Sequence, residues 1–172
     1  MKLMKVLAAS FFIIFGCAGA NAQERPMSEI HSMMVYNFMK YVNWPASAGT
    51  GDFVIGVIGE DDVFNTLSKW YGSKMKGSQK ISIKKFNSPG EITDCHVIYV
   101  GKGESNSFDD IKAKIAGKTT LLITDKIGLG KKGSGINFKV VGGKLKFELN
   151  QAAVEESQLK VSSQLTGMAI LI

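Results

Sequence analysis

Residues 53–58 read Phe53-Val54-Ile55-Gly56-Val57-Ile58, a short run that is almost wholly apolar. A strand of that composition has no face to offer water, so both faces must be covered, as in the parallel sheets of α/β proteins. The chain on either side supplies the covers. Upstream, Ile30, Met34, Phe38, Tyr41 and Val42 recur at steps of three and four between Ser28 and Val42, which puts them on one face of a helix. Asn43-Trp44-Pro45 ends that helix, because proline disfavours helical geometry in the residue before it. A Gly/Ser/Thr-rich loop over residues 46–51 leads into the strand. Downstream, Asp61 or Asp62 can cap a second helix by accepting hydrogen bonds from its free amides. Val63, Leu67, Trp70 and Tyr71 form its inner stripe, and Gly72 closes it.

Further along, Lys80 to Phe86 alternates like a half-buried strand, and Cys95-His96-Val97-Ile98-Tyr99-Val100 reads as a core strand. Phe108 to Ala116 reads as a helix and Thr119 to Thr124 as another apolar strand. Strands and helices in alternation produce βαβ units. Then the period changes. Ile136, Phe138 and Val140 alternate with polar residues, Gly142-Gly143 allows a tight turn, and Leu145, Phe147 and Leu149 alternate again, which is a β-hairpin. Asn150 is suited to cap a short helix over 151–156, and Leu159 and Val161 form an extended piece. Ser162 or Ser163 opens a last helix with Leu165, Met168, Ala169 and Ile172 on one side. The expected fold class is α/β: a three-layer sandwich with a mixed, mostly parallel sheet. The sheet is parallel in its first half and closed by the C-terminal hairpin of residues 136–149, with short helices after it.

The N-terminus reads as an export signal. Lys2 and Lys5 precede an apolar run from Val6 to Gly16, and Ala20-Asn21-Ala22 fits the A-x-A cleavage pattern, giving a signal peptide over 1–22 and a single domain over 23–172. The apolar run is about half the roughly 20 residues a spanning helix needs. Cys17, after Ile14-Phe15-Gly16, loosely resembles a lipobox, so lipidation there is the alternative. Either way the expected location is the periplasm. Taking Lys2 and Lys5 from 21 basic residues leaves 19 against 15 acidic ones, a mature net charge of +4. The lysines are dispersed, without the stripe that tracks a phosphate backbone, and no nucleic-acid partner is expected. After cleavage Cys95 is the one thiol left, and it cannot close an intramolecular disulfide. Burial in its strand is one reading and a reactive redox thiol the other.

The sequence carries few marks of catalytic chemistry. Gly128-Leu129-Gly130-Lys131-Lys132-Gly133 satisfies G-x-G-x-x-G, but a dinucleotide site needs a helix after the glycines and Ile136 to Val140 continues as a strand. Gly117-Lys118-Thr119 looks like the end of a P-loop whose earlier glycine is replaced by Lys112. His31 and His96 lie far apart, with no metal-site spacing around either. His96 beside Cys95 suggests a base and nucleophile, yet neighbours on a strand point to opposite faces. Asp61, Asp62, Asp109 and Asp110 fall at helix starts, where the helix dipole accounts for them. No serine elbow is present. The chain is therefore read as no enzyme, with no cofactor.

Tyr36-Asn37-Phe38-Met39-Lys40-Tyr41-Val42-Asn43-Trp44-Pro45 resembles the opening signature of the YfiR/HmsC-like family. Phe53 to Gly59 resembles that family's first strand, Asp94 to Val100 its cysteine-containing central strand, and Lys146-Phe147-Glu148-Leu149-Asn150 its F-x-I/L-N strand end. Ser162-Ser163-Gln164-Leu165 matches its closing S-S-x-L helix start. The resemblance spans about Ile30 to Ile172. It implies a small periplasmic regulator that binds the periplasmic part of an inner-membrane diguanylate cyclase and holds it inactive. An outer-membrane lipoprotein then sequesters the repressor, cyclic di-GMP rises, and matrix production or attachment follows. The family's well-known member relies on disulfides and is linked to redox sensing, whereas here Cys95 alone carries over. The alternative function is a small-ligand sensor coupled to a sensor histidine kinase, and a homodimer stays open as an assembly. Tyr36, Phe38, Trp44 and Pro45 read either as a core helix and its stop or as an aromatic contact patch. Asn37, Lys40 and Asn43, nearer the solvated side, are the candidate partner contacts.

Overall fold

The computed structural model describes residues 25–172. The export segment and Cys17 lie outside the described residues. In chain order the elements are α1 (Met27–Tyr41), β1 (Val42–Asn43), β2 (Phe53–Ile58), α2 (Asp61–Tyr71), β3 (Met75–Lys76), β4 (Gln79–Phe86), β5 (Val97–Val100), α3 (Phe108–Ile115) and β6 (Leu121–Thr124). There follow β7 (Ile136–Val141), β8 (Lys144–Leu149), α4 (Gln151–Glu156), β9 (Lys160–Val161), α5 (Ser163–Met168) and β10 (Ile170–Leu171). Eight strands form one sheet in the order β10-β8-β7-β6-β5-β2-β4-β3. The pairs β4/β2, β2/β5, β5/β6 and β6/β7 are parallel, and β7/β8 is the antiparallel hairpin. Its turn residues Gly142 and Gly143 take φ of 57° and 74°, the left-handed pair that suits a right-twisted hairpin.

Period-two alternation decides which layer each side chain enters. Phe53, Ile55 and Val57 of β2, Val97 and Tyr99 of β5, and Leu121 and Ile123 of β6 point into one core, shared with Val35 and Phe38 of α1 and Val63 and Leu67 of α2. Ile58, Ile98, Val100 and Leu122 point the other way, against Phe108, Ile111 and Ile115 of α3. The result is the expected three-layer α/β sandwich. After β2 the chain crosses through α2 to β4 on one side, and after β5 it crosses through α3 to β6 on the other, so the strand order reverses between β2 and β5. Folds of this type offer a ligand crevice at the carboxyl ends of such strands. Here backbone fills it: the amide of Gly101 donates to Ile58 O at 2.8 Å, and a Cβ on Gly101 would stand 2.6 Å from Gly59 O.

Five details differ from the sequence reading. The buried face of α1 is His31, Ser32, Val35, Phe38 and Met39, while Ile30, Met34 and Tyr41 are half-buried, so the helix is rotated by about one residue. Polar His31 and Ser32 sit where a hydrophobic count places no core. Neither Asp61 nor Asp62 caps α2. Glu60 holds the cap position without a side-chain bond, and Asp61 pairs with Lys85 at 2.8 Å instead. β5 begins at Val97, so Cys95 and His96 lie just before the strand and not in it, and β6 begins at Leu121 instead of Thr119. The last helix ends at Met168, which is exposed, and Ile170 and Leu171 pair in parallel with β8. The sheet therefore continues one strand past the hairpin. At the opposite edge β3, which period analysis passes over because it is two residues long, pairs antiparallel with β4.

Candidate functional site

The segments that carried the resemblance are remote in sequence and meet in space. Phe38, in α1, lies 4.9 Å from Phe147 of β8 and 5.9 Å from Phe138 of β7 between ring centroids. Where α1 ends, β1 pairs antiparallel with β9, Val42 opposite Val161, and the amide of Ser162 donates to Tyr41 O at 2.9 Å. Ser162 then caps α5, its Oγ accepting from the Leu165 amide at 3.3 Å, while Ser163 is the first, exposed residue of that helix. Asn150 does the same for α4: Oδ1 accepts from the Ala153 amide at 3.0 Å, and Nδ2 donates to Gly130 O at 3.0 Å. So Asn150 ties the glycine loop over residues 128–133 to the sheet. That loop is a series of turns, not a helix start. Replacing Asn150 with alanine removes both bonds, and the expected loss is about 1–2 kcal/mol in a denaturant titration. Asn150→Asp, which keeps the cap, should recover part of it.

Phe38 and Phe147 join the first helix to the hairpin, and Asn150 and Ser162 cap the helices that follow it, so these landmarks hold structural junctions. The YfiR/HmsC-like family profile matches residues 28–170, most of the chain. The chain belongs to the YfiR/HmsC-like family. That family is one of periplasmic regulators and not a known enzyme family. Among the described residues no helix is long and apolar enough to cross a membrane. No curated protein matches the chain. Among solved structures it is similar to a conserved domain protein from Vibrio cholerae O1 biovar El Tor, with a TM-score of 0.55 and 11% identity. It is equally similar to an ABC domain in complex with L-Trp from Streptococcus pneumoniae, with a TM-score of 0.55 and 10% identity. Each match covers 84% of this chain and 59% of the other, so the YfiR/HmsC-like chain spans less than two thirds of either structure. At such identities the likeness is one of fold.

Two surfaces remain once the structural landmarks are set aside. The first surrounds the exposed part of the signature. Asn37, Lys40 and Asn43 face solvent, with Lys40 Nζ donating to Asn37 Oδ1 at 2.9 Å. Tyr36 is half-buried and stacks on Tyr71 with centroids 4.0 Å apart and planes 5° from parallel. Lys40 lies 4.9 Å over the Tyr36 ring and Lys74 5.0 Å over Tyr71. Trp44 packs its edge on Phe53, donates Nε1 to His96 O at 3.2 Å, and carries Lys76 4.7 Å over its face. Pro45 starts the turn at residues 46–48. The signature thus combines core (Phe38), junction (Trp44, Pro45) and surface (Asn37, Lys40, Asn43). Sequence reading missed Lys74, Met75 and Lys76, which β3 brings beside it.

The second surface lies at the carboxyl ends of β5, β6 and β7, an open cleft of about 540 Å³ lined by Lys102, Asp125, Phe138, Lys139 and Leu145 among others. Beneath it Tyr99 Oη and His31 Nδ1 are 2.9 Å apart, and Asp125 Oδ2 is 3.7 Å from the same nitrogen and 3.8 Å from Lys102 Nζ. Burial, with help from Lys102, pulls the His31 pKa down to about 4, so the ring is neutral at neutral pH and its approach to Asp125 is not an ion pair. Burial also keeps the Tyr99 phenol protonated. The two groups share one hydrogen bond, and His31 Nε2 on the far side of the ring is a buried atom with no partner among the described residues. Sequence reading left His31 unassigned because nothing local marks a lone histidine whose partners are 68 and 94 positions away.

Cys95 and His96 do part company, but both precede β5, and the turn into that strand places Cys95 in the layer opposite to Val97 and Tyr99. The thiol is buried in the α3 layer, and burial pushes its pKa up to about 12, the environment of an unreactive thiol. The His96 ring stacks on Phe53 in the opposite layer, 4.4 Å between centroids. It accepts from the Val54 amide at Nδ1 and donates from Nε2 to Ala48 O, which fixes the loop before β2.

Proposed function

We propose that this protein regulates an inner-membrane signalling enzyme, a diguanylate cyclase with cyclic di-GMP as output, by binding its periplasmic part. The observation that carries the reading is family membership over residues 28–170, the whole folded unit bar its ends. The exposed signature surface supports it. Asn37, Lys40 and Asn43 lie outside the core beside aromatic rings, the mix of rigid aromatic area and polar groups from which binding hot spots are built. Release by an outer-membrane lipoprotein and self-association into a homodimer belong to the same proposal. The expected result is that deleting the gene raises cyclic di-GMP and restoring it lowers the level again, with the mature chain retrieving the cyclase in stoichiometric amount. An unchanged cyclic di-GMP level together with no retrieved cyclase would sink the reading.

A second reading, a small-ligand sensor coupled to a histidine kinase, is favoured by the cleft at Lys102 and Asp125, whose apolar floor at Phe138 and Leu145 lies among groups of both charge signs. Native mass spectrometry of protein purified without refolding decides it. A stoichiometric small molecule lost on Asp125→Ala supports the sensor, and a bare mass leaves the regulator alone.

A further inference from the structure

We propose that the groove between the end of α1 and the β3 edge docks an extended, acidic segment of a protein partner. This rests on the reading of the chain as a protein-binding regulator and names the chemistry of what it binds. The groove, about 300 Å³, is lined by Tyr36, Met39, Lys40, Asn43, Met75 and Lys76 among others. Three ammonium groups stand over aromatic faces around it: Lys40 over Tyr36, Lys74 over Tyr71, and Lys76 over both Trp44 and Phe53. A ring face attracts a cation while engaging at most one of the three ammonium N–H groups, so donors stay free for a carboxylate. Among the described residues none of the three pairs with a carboxylate, whereas Lys85, Lys118 and Lys139 each do, at 2.8–2.9 Å. The one hydrogen bond Lys40 makes here goes to a neutral amide.

Lys76 is half-buried, and burial holds its pKa below the ordinary lysine value. A half-buried cation without a counter-charge carries a desolvation cost that an incoming carboxylate offsets. The apolar element is also present, since Met75 is 55% exposed between Lys74 and Lys76. Strand β3, two residues long, is the outermost strand on that side of the sheet. An edge strand is where an extended segment adds by backbone pairing, with its alternate side chains reaching the flanking charges.

The test is an amide NMR titration of the mature chain with a short peptide alternating Glu and Val, run beside its Lys/Val counterpart and beside phosphatidylglycerol vesicles. The expected shifts are confined to residues 36–43 and 74–77, come from the acidic peptide alone, and shrink as salt rises. The double variant K40E/K76E should lose affinity by about tenfold or more while keeping wild-type amide dispersion, because two attractive pairs become repulsive. Shifts mapping elsewhere, equal binding of the basic peptide, or binding of vesicles without peptide overturns the proposal. If K40E/K76E still lowers cyclic di-GMP as the wild type does, the groove is not the regulatory contact and this inference falls while the regulator stands. If the wild type exerts no such control, the regulator falls and the titration alone judges the groove.

Discussion

Replacing Phe38 with alanine is expected to cost the domain about 3–5 kcal/mol, the range for deleting a buried aromatic side chain. Phe38 is 3% exposed, and its ring joins α1 to both strands of the hairpin through Phe138 and Phe147. No neighbour can swing in to fill the hole, because each of those rings is itself buried and held in a strand. Against a total stability of about 5–15 kcal/mol for a domain of this size, the variant stands near its unfolding threshold. Urea titration followed by near-ultraviolet circular dichroism measures the loss. Tyr36→Ala, which removes a half-buried ring stacked on Tyr71, should cost less. A Phe38→Ala loss below about 1 kcal/mol would place the side chain outside the core and return the whole signature to the surface.

The layers were legible because the central strands are apolar throughout. Ile55, Val57, Tyr99 and Ile123 on one face, with Ile58, Ile98, Val100 and Leu122 on the other, can be satisfied only by helices above and below. The hairpin and the Asn150 and Ser162 caps were legible because they depend on residues within a few positions of each other. What escaped was anything fixed by a distant partner. The rotation of α1 is decided by His31 stacking 4.2 Å from Phe138, a contact across more than a hundred positions. Asp61 fits a cap by its type, but the Lys85 ammonium is the partner it meets. Strands β3 and β10 consist of two residues each, too few for a period to register.

The candidate contacts were legible only by elimination. Asn37, Lys40 and Asn43 are the signature residues that the core does not use. The lysines that complete the groove, Lys74 and Lys76, lie more than thirty positions on. They reach it because β4 runs parallel to β2, which sends the chain back along the same edge. The cluster beneath the cleft could not be assembled from the sequence at all, since α1, β5 and the end of β6 each supply one member.

That cluster sets how stability responds to acid. In the unfolded chain His31 titrates near 6.5, whereas in the folded protein its pKa lies at about 4. Below pH 6.5 the unfolded chain therefore takes up a proton that the folded one refuses, and stability falls with pH until about 4, where the folded ring protonates as well. The full difference corresponds to roughly 3 kcal/mol. Asp125 acts in the opposite sense. Burial, against the pull of Lys102, raises its pKa, so acidification towards the ordinary carboxylate value returns some stability and blunts the acid end of the decline. Glu148 enters lower still. Burial pushes its carboxyl up, but hydrogen bonds from Asn137 and Lys139 outweigh that and leave it below the ordinary range, so its stabilising share is lost only as pH drops beneath that value. From pH 6.5 down to the carboxylate range the histidine is the group whose titration lowers stability. Denaturant titrations at points across that window should show a steady loss, and His31→Phe, which keeps a ring against Phe138, should flatten it while lowering stability at neutral pH through the unpaired Tyr99 hydroxyl. If the variant declines as steeply as the wild type, the proton is taken up elsewhere and the buried neutral ring is not the source.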